Sequence, residues 1–182
     1  MNTSISQLYQ LSARAMALLI DPTIVLSFSR PGFLIHSQLF DPQDLASSLA
    51  SRRFLITGAN SGIGYASAVA LTRLGAEIVL LCRNPARGEA ALKELRRETG
   101  SLLPRVETLD VANLQSIRDF AERFREPVHG LIHNAGVLPE YFQQTAQQLE
   151  LCMATNVIGP HLLTRLLLPN LRAAGEARVI FV

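Results

Sequence analysis

Residues 54–64 read F-L-I-T-G-A-N-S-G-I-G, and the punctuation of this stretch decides the fold. An apolar run, Phe54, Leu55 and Ile56, is followed at once by glycines at 58, 62 and 64. Small or apolar residues then recur at Ile63, Ala66, Val69, Ala70 and Leu74, the spacing of one helix face. Strand, glycine turn and helix together present backbone N–H groups and a helix N-terminus to a phosphate. Gly58 permits the turn off the strand, Gly62 lets the backbone approach a pyrophosphate, and Gly64 lets the helix pack close to the sheet. The stretch therefore predicts a nucleotide-binding turn.

Working outward, the chain alternates from residue 52 onward. Gly75 is placed to cap the first helix, and Glu77–Cys82 (E-I-V-L-L-C) reads as a fully buried strand. Asn84 and Pro85 supply the cap and first position of a helix ending near Gly100. Residues 105–109 form a third strand. Asn113 then caps a helix with apolar positions Leu114, Ile117, Phe120, Ala121 and Phe124. Residues 130–133 are a fourth strand, 145–173 a long helical region, and 178–182 a fifth strand. Such alternation predicts an α/β fold, a doubly wound parallel sheet covered on both faces.

Residues 1–50 differ in character. Ile5, Leu8, Leu11, Ala15, Leu18 and Leu19 recur at helical spacing, and Arg14 is the only charge before Asp21. Asp21-Pro22 should end that helix. Neither apolar stretch beside Asp21 reaches the ~20 residues needed to span a bilayer, and no basic segment or cleavage site marks a secretory signal. Two readings stay open for residues 5–20: a helix docked on the domain, or one resting on a membrane surface. Ser29-Arg30-Pro31-Gly32 and the Asp41-Pro42 turn read as a linker. The expected division is thus a helical extension and linker over 1–50 and a nucleotide-binding domain over 51–182.

Composition narrows the partners. The chain has 182 residues, 48% hydrophobic and 18% charged, with a net charge of +2. No Lys/Arg run suggests nucleic acid. Cys82 and Cys152 lack metal or redox spacing and read as buried free thiols in a reducing, cytoplasmic compartment. His129 and His133 flank a strand, where four residues span about 13 Å, too far for a shared metal.

In a doubly wound sheet the ligand lies at the carboxyl ends of the strands. That rule selects residues 58–64, Arg83, Asp110 and Val111, and Asn134-Ala135-Gly136. Where NAD-binding sheets place an acid at the end of the second strand, this chain has Arg83, followed by neutral Asn84. A guanidinium suits a 2′-phosphate, so NADP is expected rather than NAD. Asp110 has two compatible readings: an acceptor for an adenine amino group, or a cap on the next helix. Asn156 lies four residues before Pro160, which has no N–H to give its carbonyl, so a kink is expected there.

The ordered set T-G-A-N-S-G-I-G, C-R-N, D-V, H-N-A-G and T-N-V-I-G-P-H-L-L-T-R-L-L-L-P resembles the short-chain dehydrogenase/reductase family. The extension and the C-R-N element are most similar to its retinol-dehydrogenase branch. The resemblance covers about residues 52–182 and implies a Rossmann sheet of order 3-2-1-4-5. It implies cofactor contacts at Gly58, Asn60, Ser61, Ile63, Arg83, Asp110, Val111, Asn134, Ala135 and Gly136. Asn156 matches the family's catalytic asparagine, whose carbonyl holds a water in a proton relay. The family usually reads N-N-A-G, and His133 stands in place of the first Asn, which helps tie the strands together.

The implied activity is NADP-dependent oxidation or reduction of a small carbonyl or alcohol, with a lipid or retinoid among the candidates. The family's catalytic serine and Tyr-x-x-x-Lys lie beyond the fifth strand. None of Tyr9, Tyr65 and Tyr141 is followed four residues later by lysine, and the sole lysine is Lys93. The expectation is therefore the cofactor half of such an enzyme, without turnover on its own. The alternatives are a dinucleotide-binding module without catalysis, and a scaffold pairing the sheet edge at 179–182 with a partner or a second copy. For the extension, removing residues 1–22 is expected to change thermal stability or co-sedimentation with liposomes. No change in either would make residues 5–20 a loose tail.

Overall fold

The computed structural model describes Ser12, Ala15, Met16 and residues 29–41 and 48–182. The chain divides into two units, Met1–Ser47 and Ser48–Val182. In the first, Ser12, Ala15 and Met16 are helical; the rest of the stripe at residues 5–20 lies outside the described residues. Helix α1 (Arg30–His36) continues into a 3-10 turn, Ser37–Leu39. Residues 29–32 were expected as linker and instead begin this helix. Pro31 falls in the first turn, where the N–H it lacks would have no partner anyway. Ser37 Oγ closes the helix by donating to the Leu34 carbonyl at 2.9 Å. Among the described residues, no helix is long and apolar enough to cross a membrane.

The second unit carries the sheet. Its strands are β1 (Arg53–Thr57), β2 (Glu77–Cys82), β3 (Arg105–Thr108), β4 (Gly130–His133) and β5 (Arg178–Phe181), all parallel, in the order β3-β2-β1-β4-β5. Helices α2 (Gly62–Arg73), α3 (Pro85–Thr99) and α4 (Leu114–Arg123) follow the first three strands. After β4 come α5 (Leu151–Met153), a π-helical turn (Ala154–Ile158), α6 (Gly159–Leu166) and α7 (Leu168–Ala173). Apolar side chains alternate along the central strands into two cores. Leu55, Val79, Leu81 and Leu131 pack with Ile117, Phe120 and Leu163 on one face. Ile56, Ile78, Leu80 and Ile132 pack with Ala68, Leu92 and Leu95 on the other.

Local chemistry sets the boundaries. Asn84 Oδ1 accepts from the Arg87 amide, and Gly100 ends α3 with φ 69°. Asn113 Oδ1 accepts from the Gln115 and Ser116 amides at the start of α4. The helical region expected over 145–173 starts later, at Leu151. Residues 144–150 form a turn closed by a Gln144–Glu150 bridge, with Gln148 at φ 61°. Glu150 then caps α5 through the Cys152 and Met153 amides.

The expected kink at Pro160 takes the form of the π turn just before it. Gly159 N–H reaches back five residues to the Ala154 carbonyl. A Cβ on Gly159 would fall 2.0 Å from the Val111 carbonyl oxygen, a backbone atom with no room to retreat. Alanine has the better helix propensity, so the clash alone decides the sign. Gly159→Ala should cost on the order of 1–3 kcal/mol, read as a lower urea midpoint at unchanged m; an equal or higher midpoint would contradict the packing.

Candidate functional site

Four strands deliver their following residues to one place. The ladder runs one step past the strand ends, because the Gly58 amide donates to the Leu81 carbonyl at 2.9 Å and the Leu109 amide to Cys82 at 3.1 Å. Beyond those bonds the chains diverge and leave a cleft of about 380 Å³. It is lined from β1 by Gly58, Asn60 and Ser61, and from β2 and the start of α3 by Leu81, Arg83 and Arg87. Leu109–Ala112 line it after β3, Asn134–Val137 after β4, and Thr155 from the π turn.

The floor of the cleft is tied by hydrogen bonds. Thr57 Oγ1 is buried and accepts from the amides of Asn134 and Ala135, each at 3.0 Å. The Asn134 side-chain amide donates back to the carbonyls of Thr57 (3.1 Å) and Gly58 (3.3 Å). Gly58 has φ 65°, and a Cβ there would meet the Ala135 backbone at 3.0 Å. A Cβ on Gly64 would lie 2.4 Å from Asn134 Nδ2, so only glycine lets α2 approach this corner. Ser61 precedes α2 in extended geometry and makes no side-chain cap. The first amides of α2 thus have no side-chain oxygen from Ser61, the arrangement that suits an anion.

Asp110 borders the cleft, but Asn113 rather than Asp110 caps α4. Asp110 Oδ1 accepts from the Ala112 amide at 3.0 Å, and its own amide donates to Ser116 Oγ at 3.1 Å. Three residues before the cap position, its carboxylate shapes the turn instead. Arg83 and Arg87 are exposed, and neither forms an ion pair among the described residues.

Of the residues expected from the sequence, the cleft gathers Gly58, Asn60, Ser61, Arg83, Asp110, Val111, Asn134, Ala135 and Gly136. Gly62, Ile63 and Gly64 lie on the first turn of α2 and do not line it; Ile63 is 66% exposed. Asn156 borders an adjoining cavity of about 440 Å³ along α6 and β5, with Val157, His161 and Phe181. Its side chain clasps the Val137 backbone: Oδ1 accepts from the amide at 3.0 Å and Nδ2 donates to the carbonyl at 2.9 Å. Leu81, Arg87, Leu109, Ala112, Val137 and Thr155 also line the cleft and were missed. Arg87 could have been found, since a first-turn residue of α3 must face the carboxyl ends. Thr155 depends on the π turn, which no periodicity announces.

Both cysteines are free. Cys82 is buried, and burial pushes its thiol up to about 11. Cys152, expected as buried, is half-buried beside Asn156. His129 and His133 serve separate neighbours. His129 Nδ1 accepts from the Arg53 amide, while His133 Nε2 lies 2.8 Å from Thr164 Oγ1 and its ring stacks on Phe181. The strand tie is therefore made by Thr57 and Asn134, and His133 braces β4 against α6.

Comparison with known proteins agrees with this geometry. The profile for short chain dehydrogenase matches residues 52–182. Dehydrogenase/reductase SDR family member 13 of Homo sapiens is 46% identical over 138 residues, which are 74% of this chain and 36% of that protein. Retinol dehydrogenase 12 of Mus musculus is 41% identical over 69% of this chain and 41% of its own length. A putative short chain dehydrogenase from Escherichia coli CFT073, crystallised with NADPH, superposes with TM-score 0.65 at 31% identity, covering 78% of this chain and 60% of that one. The chain belongs to the short-chain dehydrogenase family. It spans between about a third and a half of the curated relatives it matches.

Burial pushes the His133 pKa down to about 4, and Nδ1 has no hydrogen-bond partner among the described residues. The unfolded chain takes up this proton near pH 6.5 and the folded chain only near 4. Stability is therefore full above pH 6.5 and declines as pH falls towards 4, by up to about 1.4 kcal/mol per pH unit. Urea unfolding at pH 8, 6.5, 5 and 4 should show a steeper acid loss for the wild type than for His133→Gln. Parallel profiles would place the ring in a wetter setting.

Proposed function

We propose that this chain forms the NADP(H)-binding part of an oxidoreductase acting on a carbonyl or alcohol. The carrying observation is the pair Arg83 and Arg87, cations without an ion pair among the described residues, at one end of a cleft that has no acid directly after β2. Two guanidiniums suit a 2′-phosphate, and a 2′-hydroxyl would leave both without an anion. Asn60, Ser61 and the first turn of α2 would hold the pyrophosphate. Asp110 would accept from the adenine amino group. In that order the nicotinamide half would lie beside Gly136, Val137 and Thr155. The nicotinamide supplies or accepts the hydride.

This chain's own residues bind, orient and wall off that half. Pro160 has no N–H for the Asn156 carbonyl, which suits that carbonyl to hold a water in a proton relay. An apolar substrate is favoured by Leu138, Tyr141 and Phe142. They are 92%, 72% and 75% exposed on the loop that leaves the cleft at Val137. The matched retinol dehydrogenases agree with such a substrate. Residues 5–20 would bring the protein to a membrane surface where such substrates dissolve.

Calorimetric titration should give tighter binding of NADPH than of NADH. Arg83→Ala and Arg87→Ala should each weaken NADPH about tenfold or more while changing NADH by less than about twofold. Equal losses for both cofactors would overturn the assignment.

A further inference from the structure

The Asn156 clasp on Val137 has a third member. Cys152, one helical turn earlier, lies with Sγ 3.1 Å from Asn156 Nδ2 and 3.3 Å from the Val137 carbonyl oxygen. These groups use one another fully. The amide nitrogen has two protons, one for the Val137 carbonyl and one for the sulfur. The carbonyl has two lone pairs, one facing the amide and one facing the thiol proton. Asn156 is exposed, so its two bonds to Val137 compete with water. The half-buried thiol takes the remaining amide proton.

We propose that Cys152 is a positioning residue, which fixes the Asn156 side chain and through it the Val137 backbone at the nicotinamide end of the cleft. The effect on cofactor binding rests on the function proposed above; the effect on Val137 does not. Cys152 is absent from the cleft lining. It acts only through its neighbours. Its influence should therefore be confined to one end of the ligand, because the Arg83 and Arg87 end is held by other elements.

Two measurements on the full chain test this. In the cofactor-free protein, Cys152→Ala should speed hydrogen exchange of the Val137 amide about fivefold, the loss of one modest hydrogen bond. The Ala135 amide, held by Thr57, should not change. Cys152→Ser keeps a donor and an acceptor and should stay within about twofold of wild type at Val137. In titrations, Cys152→Ala should weaken NADPH about fivefold and leave adenosine 2′,5′-bisphosphate, which lacks the nicotinamide half, unchanged. Adding Cys152→Ala to Asn156→Ala should change nothing further.

An unchanged Val137 amide, equal acceleration of Val137 and Ala135, equal loss for both ligands, or additivity with Asn156→Ala would each overturn the proposal. If the wild type binds neither ligand, the cofactor reading fails, and the exchange result alone decides the role of Cys152.

Discussion

One hydroxyl holds the cleft together. Thr57 Oγ1 offers two lone pairs and one proton, and all three are used at the point where β1 and β4 part. The lone pairs take the Asn134 and Ala135 amides, and the proton points to the Ile132 carbonyl at 3.4 Å. Those two amides follow the last ladder position of β4 and would otherwise be partly buried without partners. Because Thr57 binds them, β4 can turn away from β1 without losing hydrogen bonds. The Asn134 side chain completes the corner by returning to the Thr57 and Gly58 carbonyls. Turn, strand end and helix start are thereby fixed as one piece, and the close approaches at Gly58 and Gly64 follow from it.

The two ends of the sheet handle charge in opposite ways. At the amino end, Arg53 is paired with Glu77 and Glu126, and Arg105 with the same Glu126. Arg53 also donates to the Pro127 carbonyl at 3.0 Å. These cations are largely satisfied within the chain and brace β1, β2 and β3 against the loop before β4. At the carboxyl end, Arg83 and Arg87 have no such carboxylates among the described residues. Arg83 and Arg87 are exposed, where an ion pair contributes little to stability, so leaving them without carboxylates hardly affects folding. It matters for recognition, because an unpaired cation beside a concave surface is free to meet an incoming anion.

Much of this was legible in the residues, because it depends on local chemistry. Gly58, Asn84, Asn113 and the apolar strands act within a few positions of themselves, so turn, caps and strand positions could be read directly, while the strand order came from the family resemblance. Three features resisted for physical reasons. Pro31-Gly32 carries the marks of a linker, yet proline in a first turn starts a helix as readily as it ends one. Residues 145–150 could continue the helix by composition, but the bridge from Gln144 to Glu150 and the Glu150 cap place its start at Leu151. The partners of Asn156 and Cys152 sit 19 and 15 residues away on Val137, and no spacing rule carries information across that loop.

The π turn explains how one helix serves two surfaces. A regular helix would set the Pro160 ring against the Asn156 carbonyl and leave that carbonyl without its donor. Over Ala154–Ile158 the turn widens and the ladder moves by one residue, as the Gly159 to Ala154 bond records. The absent Cβ of Gly159 then lets the helix rest against the Val111 carbonyl, on the chain that lines the cleft. Drawn in this far, consecutive residues point to different tasks. Thr155 is buried and lines the cleft, while Asn156 is exposed, borders the neighbouring cavity and holds Val137. Pro160, which reads in the sequence as a kink, and the close approach at Gly159 together set the helix where Asn156 reaches the backbone of the turn after β4.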